Sequence, residues 1–399
     1  MKIVVAMDSF KGSLSAMKAC DIVAEALCSA KPNAIVVTKP MADGGEGTAV
    51  TLMAAAGGQW VPVRVMGPLP EMEVDAGFVW LPDTRTAVVE MAVASGLPLL
   101  RPDQYNPLKT TTYGTGQLIH AAIEHGAEQI LLAIGGSATV DGGVGAAMAL
   151  GWRFLKADGR EIALGGGELS KIDQILPPTA TDGMRSAGCG LRQMEDSLLR
   201  PTHDAQRTTT SVKVLCDVDN PLCGEHGAAR VYGPQKGATP AMVELLDANL
   251  AHLAERIKAQ LGLNIKDLPG AGAAGGLAAG AVAFMDARLV SGVDEVIAQN
   301  GLREELADAD WVITGEGRFD HQSLRGKVVS GVARAAREAG AKVAVIAGQV
   351  LLPPELYRRA GIEIALPIMT GSMTVEYAIA HTETLLIEAI RRLVETSLG

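Results

Sequence analysis

Short apolar runs rich in β-branched residues alternate along this chain with helical patterns of ten or more residues. This order is typical of α/β folds. Because the runs are apolar throughout, rather than alternately apolar and polar, they predict strands buried on both faces, as in a parallel sheet that helices cover. The runs are residues 3–5, 34–37, 130–134, 311–313 and 343–346.

The length of 399 residues predicts two domains, since single hydrophobic cores stop growing at roughly 250–300 residues. Both chain ends carry strand and helix patterns of the same kind. We therefore expect one domain from residues 1–72 and 290–399, with a second α/β domain, residues 73–289, inserted between its halves. A site is expected in the cleft between the two domains.

Four segments carry more specific expectations. Apolar residues recur at helical spacing from 375 to 393, which predicts one amphipathic helix packed on the sheet. A similar pattern from 242 to 261 follows Pro240, a residue suited to a first helical turn. Residues 165–211 lack periodicity and predict a loop insertion. The uncharged stretch 268–285 is rich in glycine, so we interpret it as a buried loop and helix rather than a membrane span.

The composition excludes several classes of protein. A content of 48% hydrophobic and 20% charged residues is typical of a globular chain. The net charge of −10 argues against nucleic-acid or anionic-membrane partners, which require a basic face. Five cysteines without a CxxC pair favour a reducing compartment. The apolar run at the N-terminus is too short for a signal peptide, so we expect a cytoplasmic protein.

Two glycine-rich turns, each led by an aspartate, follow predicted strands. Asp43 begins the sequence DGGEG and Asp141 begins DGGVG. Such glycines allow positive φ and close approach of the backbone to a ligand, while a following helix N-terminus offers N–H groups to an anion. Each turn alone could be a tight connection. Two copies led by aspartate favour a functional role.

Charged side chains gather at three further strand ends, where open α/β sheets bind ligands. Asp8 and Lys11 follow the first strand, and a cation beside a carboxylate suits phosphoryl charge; helix capping is the alternative. Asp217 and Asp219 follow another strand and make an oxygen-rich patch, unless they only open a turn. The third cluster, residues 315–327, reads as a charged loop after a buried strand.

The third cluster is dense in groups that suit phosphoryl transfer. Arg318, Arg325 and Lys327 could cover the oxygens of a transferring phosphate, with Glu316 and Asp320 for magnesium or proton transfer. A solvated charged loop is the alternative. The P-loop pattern GxxxxGK[ST] is absent, because Val328 follows Lys327. The sequence also lacks the GxSxG and HExxH patterns, which weakens hydrolase and metalloprotease interpretations.

Taken together, the motifs closely resemble those of the bacterial glycerate kinase family, of the type I or glycerate 2-kinase kind. The matching segments are DSFKGSLS (8–15), PMADGGEGT (40–48), TTYGTGQ (111–117), IGGSATVDGGVG (134–145), CDVDNPL (216–222), GPQKGA (233–238) and residues 314–327. Met7 departs from the proline usual in the family, and residues 176–211 look longer than usual.

The resemblance implies a two-domain α/β enzyme in which both chain ends form a Rossmann-like domain. It also implies ATP and Mg²⁺ as cofactors and D-glycerate as the substrate. The product would be 2-phosphoglycerate, in glyoxylate or glucarate and galactarate breakdown. Glycerate and ATP would be the partners, without nucleic acid or membrane, and the sequence permits a homo-oligomer.

Candidate roles follow from the chemistry, which needs a proton acceptor and cations over the developing charge. Proton acceptance is assigned to Asp217 or Asp320. The other catalytic candidates are Asp8, Lys11, Arg318 and Lys327. The nucleotide candidates are Gly135, Gly136, Ser137, Gly142, Gly315 and Gly317. The metal candidates are Asp43, Asp219 and Glu316. Two other functions stay open, a metal-dependent phosphohydrolase and a non-catalytic nucleotide or metabolite sensor.

Overall fold

The computed structural model describes residues 1–45, 47–178, 210–324 and 326–398. The chain divides into two compact units, one made of residues 1–57 and 291–399 and the other of residues 58–290. The first unit is therefore discontinuous, with the second inserted into it. Cys189, Glu46, Arg325 and most of the segment 176–211 lie outside the described residues.

The elements follow one another as strand and helix through both units. Residues 1–57 form β1 (Lys2–Met7), α1 (Ala16–Ala30), β2 (Ile35–Thr38) and α2 (Thr48–Ala56). Residues 58–290 form β3 (Gln59–Met66), β4 (Glu73–Leu81), β5 (Thr86–Glu90), α3 (Ala92–Ser95), α4 (Tyr113–His125), β6 (Gln129–Ala133), α5 (Val144–Ala149), β7 (Arg153–Leu155), β8 (Gln174–Leu176), β9 (Ser211–Leu215), α6 (Ala228–Tyr232), α7 (Pro240–Leu261), α8 (Leu277–Met285) and β10 (Arg288–Val290). The remainder forms α9 (Gly292–Gln299), α10 (Leu302–Leu306), β11 (Trp311–Phe319), α11 (Val328–Ala339), β12 (Lys342–Val350), α12 (Pro354–Arg359), β13 (Ile364–Pro367), α13 (Val375–Ala380) and α14 (Thr382–Ser397).

The sheet of the first unit is parallel throughout, in the order β13-β12-β11-β1-β2. The chain leaves β1 toward one side of the sheet and leaves β11 toward the other. The switch point between these strands is where open α/β sheets leave a crevice for ligands. One face of the sheet is covered by α1 and α14, whose apolar side chains join those of β1, β11 and β12 in one buried cluster.

The sheet of the second unit is mixed, in the order β10-β9-β6-β5-β4-β3. Its first four strands are parallel, and β4 and β3 are antiparallel additions. Apolar residues of the sheet pack with those of α4 and α8 in one cluster, while α7 and α8 belong to a second cluster around Phe154 and Phe284. A separate antiparallel pair joins β7 and β8.

Several sequence-based expectations agree with these elements. The α/β class and the mostly parallel strands are confirmed. Helix α7 begins at Pro240, and the side chain of Thr239 caps it by accepting the N–H of Met242 at 3.3 Å. The stretch 268–285 contains the buried helix α8. Among the described residues, no helix combines the length and apolar character that crossing a bilayer requires.

Other expectations need correction. The segment 59–66, placed with the N-terminal domain, pairs as β3 with β4 of the second unit, so that unit begins near residue 58. Strand β2 lies at a sheet edge, and Ile35 is 64% exposed rather than buried. The predicted helix 375–393 is two helices, because His381 leaves helical geometry between α13 and α14. The described part of the 165–211 segment contains a 3₁₀ helix (Gly166–Lys171) and β8.

Candidate functional site

The switch point of the first sheet positions Asp8 directly beyond β1. Met7 pairs with Gly315 of β11, and the backbone N–H of Asp8 continues the ladder by donating to the carbonyl of Gly315 at 2.9 Å. The carboxylate of Asp8 accepts the N–H of Ser9 at 2.6 Å. Two strands that lie about 300 residues apart in the sequence therefore bring Asp8 and Glu316 to one sheet edge.

Asp8 and Glu316 are half-buried carboxylates of this unit, and the charge of the half-buried Asp43 acts on both. Burial, reinforced by the charges of Asp43 and Glu316, raises the pKa of Asp8 to about 7. Burial also raises the pKa of Glu316, against the opposing effects of the Ser323 hydroxyl and the Lys327 ammonium. Groups of like charge with perturbed pKa values are typical of functional sites.

Cations accompany these carboxylates. Lys11 is exposed in the turn after β1, and its charge opposes the rise in the pKa of Asp8. Lys327 immediately precedes α11, and its charge favours ionisation of Glu316. Arg318 is 65% exposed, with its Nε 3.1 Å from Asp320 Oδ2. Asp320 is thus already engaged by a cation, which makes it a weaker candidate for the proton acceptor.

The prediction of a loop over residues 315–327 is wrong for its first residues, because β11 continues to Phe319. Gly315 is a strand residue, and a Cβ there would lie 1.9 Å from the carbonyl oxygen of Ile346. Its lack of a side chain is required by strand packing, so it needs no ligand as its explanation. At Gly317, an added Cβ would come no closer than 3.7 Å to its neighbours. The remaining part, after Phe319, is a turn that leads into α11.

The second unit brings two sequence-predicted segments to the carboxyl edge of its parallel strands. Ala133, the last residue of β6, pairs with Leu215, the last residue of β9. The segment with Gly135, Gly136 and Ser137 therefore begins beside the segment with Asp217 and Asp219. Gly136 and Asp219 are exposed, whereas Gly135, Ser137 and Asp217 are half-buried.

Asp141 has a structural role that its sequence motif did not reveal. It is buried, and its Oδ2 accepts the backbone N–H and the hydroxyl of Thr112 at 2.8 and 2.9 Å. Its Oδ1 accepts the N–H of Gly143 at 3.1 Å. Burial raises its pKa, and the bonds from Thr112 oppose that rise. Asp141 thus joins the turn before α4 to the start of α5.

Gly142 also has a packing explanation. The residue is buried with φ of +63°, and a Cβ there would lie 2.4 Å from Leu253 Cδ2. Its N–H donates to the carbonyl of Gly275 at 3.0 Å. The glycine at this position is therefore explained by packing and positive φ, and its nucleotide role stays a prediction.

Lys236, which the sequence did not single out, contacts Ser137, one of the predicted nucleotide residues. It is 2% exposed, and its Nζ donates to Ser137 Oγ at 2.6 Å and to the carbonyl of Thr139 at 2.8 Å. Burial lowers its pKa to about 7, while the charge of Asp141 acts in the other direction. The only available signal was its position in the segment GPQKGA (233–238), between two glycines.

The donor set of the first unit fits Mg²⁺, which prefers carboxylate oxygens and retains waters and substrate phosphates as its other ligands. The buried Oε1 atom of Glu316 has no hydrogen-bond partner among the described residues. Among the described residues, no group of three or more aspartate, glutamate, histidine or cysteine side chains is arranged to hold a metal ion. The metal roles of Asp43, Glu316 and Asp219, the last in the second unit, stay predictions.

Comparison with known proteins identifies the chain. The sequence pattern of the glycerate kinase family matches residues 3–398. The chain belongs to the glycerate kinase family. A glycerate kinase of Halalkalibacterium halodurans is 43% identical over 395 residues, covering 99% of this chain and 98% of the relative. A glycerate 2-kinase of Escherichia coli is 41% identical over 400 residues, covering 99% and 98% respectively.

A solved structure agrees with this glycerate kinase assignment. The crystal structure assigned to glycerate kinase 2 of Salmonella typhimurium matches with a TM-score of 0.82 and 39% sequence identity, over 99% of this chain and 98% of that one. The two-domain α/β fold is thus a property that this chain shares with a glycerate kinase structure. The family assignment from the sequence motifs is confirmed.

Proposed function

We propose that the protein transfers the γ-phosphate of ATP to a hydroxyl group of D-glycerate and gives 2-phosphoglycerate. The observation that supports this best is the convergence of Asp8, Asp43 and Glu316 with Lys11 and Lys327 at the switch point of the first sheet. Phosphoryl transfer depends on positioning and on charge stabilisation, and this set offers both cations and hard oxygen donors. Membership in the glycerate kinase family supports the choice of substrate.

Within this proposal, Asp8 accepts the proton of the attacking hydroxyl. It directly follows the interior strand β1 and receives a hydrogen bond from the N–H of Ser9. The sequence motifs predicted Asp217 or Asp320 for this role, but Arg318 pairs with Asp320. Lys11, Arg318 and Lys327 would neutralise the charge that develops on the transferred group.

Asp43 and Glu316 would hold Mg²⁺ together with the phosphates of ATP. The ion would withdraw charge from the β- and γ-phosphates when bound. Residues of this chain would keep the two carboxylates ionised and in place. Ser323 and Lys327 favour the ionised form of Glu316, and the N–H of Gly45 donates to Asp43 Oδ1 at 3.1 Å. Chelation of divalent ions with EDTA should abolish turnover, and full activity in EDTA would exclude this role.

The direct test measures ADP release from ATP and Mg²⁺ with and without D-glycerate. We expect ADP release to depend on glycerate and the product to be 2-phosphoglycerate by NMR. L-glycerate is the matched control for the acceptor. ADP release that does not depend on glycerate would instead indicate a phosphohydrolase, and binding of ATP without turnover would indicate a sensor.

A further inference from the structure

The buried lysine Lys236 and the half-buried serine Ser137 form a pair in the second unit. Lys236 ends a short 3₁₀ helix (Pro234–Lys236), and its side chain reaches the segment that follows β6. The amino group of Lys236 is the donor in this contact. In the bond of 2.6 Å between them, the hydroxyl of Ser137 is therefore the acceptor.

The hydrogen of the Ser137 hydroxyl is consequently directed away from Lys236. Among the residues that the structure describes, no acceptor for this hydrogen is found. Ser137 is half-buried and follows the exposed Gly136, whereas Lys236 is buried. A hydroxyl that accepts a bond from a cation is polarised and becomes a stronger donor.

The segment that carries Ser137 is held from several sides. The N–H of Leu97 donates to the carbonyl of Gly136 at 2.8 Å, and the N–H of Ala138 donates to the carbonyl of Ser95 at 2.9 Å. The hydroxyl of Thr110 donates to the carbonyl of Ala138 at 2.8 Å. The second bond of Lys236, to the carbonyl of Thr139, fixes the next residue. Ser137 is thus presented by a backbone that is already ordered.

A lysine is rarely buried without a compensating role, because burial disfavours its charged form. Satisfying the carbonyl of Thr139 would need only a neutral donor. The remaining contact of the Lys236 ammonium in the structure is the hydroxyl of Ser137, and the charge of Asp141 favours the ammonium form. The arrangement therefore places the buried amino group of Lys236 directly behind the hydroxyl of the half-buried Ser137.

We propose that Lys236 is a positioning residue that orients and polarises Ser137, and that the Ser137 hydroxyl donates to an anionic oxygen of a substrate. The ligand class is a phosphate of the nucleotide or the carboxylate of the acid substrate. This inference rests on the proposed function for the identity of the two substrates. Lys236 itself touches no substrate and acts through Ser137.

The test compares Ser137→Ala, Lys236→Met and the double variant in steady-state kinetics, with ATP varied at saturating glycerate and then glycerate varied at saturating ATP. Both single variants should raise the same Michaelis constant by roughly 10–100-fold, the effect of losing a hydrogen bond to a charged group. The double variant should match the single variants, because the two side chains act as one unit. A rise for ATP identifies a phosphate, and a rise for glycerate identifies the carboxylate.

Thr139→Val is the matched control, since its buried hydroxyl has no hydrogen-bond partner among the described residues and its carbonyl stays in place. It should keep both Michaelis constants. Unchanged constants in Ser137→Ala would overturn the proposal, as would a Lys236→Met variant that only melts earlier. If Lys236→Met does not fold, Ser137→Ala decides. Titration calorimetry of ATP and of D-glycerate with Ser137→Ala separates the outcomes, because lost binding supports the pair even if the wild type lacks turnover.

Discussion

Individual side chains in this protein owe their properties to neighbours that are distant in sequence. Asp8 is the clearest case, because its pKa of about 7 arises from burial and from Asp43 and Glu316. The ordinary value is 3.8. The folded protein therefore binds a proton at this residue between about pH 4 and pH 7 that the unfolded chain releases.

Replacement of Asp8 by asparagine should therefore stabilise the protein at high pH. The stability that protonated Asp8 gives the wild type is fully present below the pKa of Asp8 in the unfolded chain. This stability is lost as the pH rises through about 7. Asp8→Asn should match the wild type near pH 4 and exceed it above pH 7 by roughly 1–4 kcal/mol. Urea unfolding in EDTA without nucleotide measures this difference.

Asp83→Asn is the control, because Asp83 is an exposed acid in the turn between β4 and β5. It should leave the unfolding free energy unchanged at every pH. Equal pH profiles for Asp8→Asn and the wild type would show that Asp8 is an ordinary ionised carboxylate.

Arg318 allows a test of catalysis separate from stability. Because its side chain is 65% exposed, Arg318→Ala should change the free energy of unfolding by about 0.5 kcal/mol or less. Loss of a charge-stabilising contact should lower kcat by roughly 10²–10³-fold. Turnover assays and thermal melts distinguish these effects.

Arg64→Ala is the matched control for Arg318→Ala. Arg64 lies on β3 and pairs with Glu73 at 2.8 Å, with both side chains more than two-thirds exposed (69% and 68%). It should lose neither activity nor stability. Near-normal turnover of Arg318→Ala with an unchanged melt would place Arg318 among solvated surface charges, and an early melt would make its role structural.

Among the secondary-structure elements, β11 combines a structural and a functional task. Its first residues pair with β1 and β12 on both sides, and its last residues carry Glu316 and Arg318. The close approach of β11 and β12 at Gly315 explains why the glycine motif begins inside the strand. The charged side chains therefore stand on a rigid element rather than on a loop.

This view predicts opposite outcomes for two glycines that lie two positions apart. Gly315→Ala places a Cβ 1.9 Å from the carbonyl oxygen of Ile346, so it should destabilise the protein by about 1–3 kcal/mol or more. Gly317→Ala meets its nearest atom at 3.7 Å and should change stability by less than about 1 kcal/mol. Urea unfolding of both variants measures the difference, and equal effects would contradict the role of strand packing.

The two units of the molecule divide near residue 58, earlier in the chain than residue 72, where the sequence pattern predicted the boundary. The residues of β3 pair with β4 along their full length, and the N–H of Met66 donates to the side chain of Gln117 on α4 at 2.8 Å. Val65 belongs to the buried cluster of the second unit. The strand is therefore part of the second unit.

The fragment 58–290 should fold cooperatively, whereas the fragment 73–290 should not. Without β3, the edge of β4 and the apolar surface that packs against Val65 are exposed, which favours aggregation. Urea unfolding followed by circular dichroism, with light scattering for aggregation, tests both fragments. Two fragments of equal stability would support the boundary at residue 72 instead.

How much of the fold could be predicted depends on what a sequence pattern reports about a segment. Apolar β-branched runs and helical periodicity describe the surroundings of a segment, so the α/β class, α7 and the buried α8 could be predicted. The exposed Ile35 could not, because an apolar run does not reveal whether its strand lies in the centre of a sheet or at its edge. The break at His381 was missed because the apolar spacing continues across it.

The candidate site divides in the same way. Local motifs were sufficient to recognise the family and to name Asp8, Asp43 and Glu316 as candidates, because residue type and strand-end position are local properties. The coupling of these carboxylates, the structural role of Asp141 and the burial of Lys236 depend on contacts between segments that are far apart in the sequence. Burial sets the free energy of a charge, and only the folded chain establishes which groups share a low-dielectric environment.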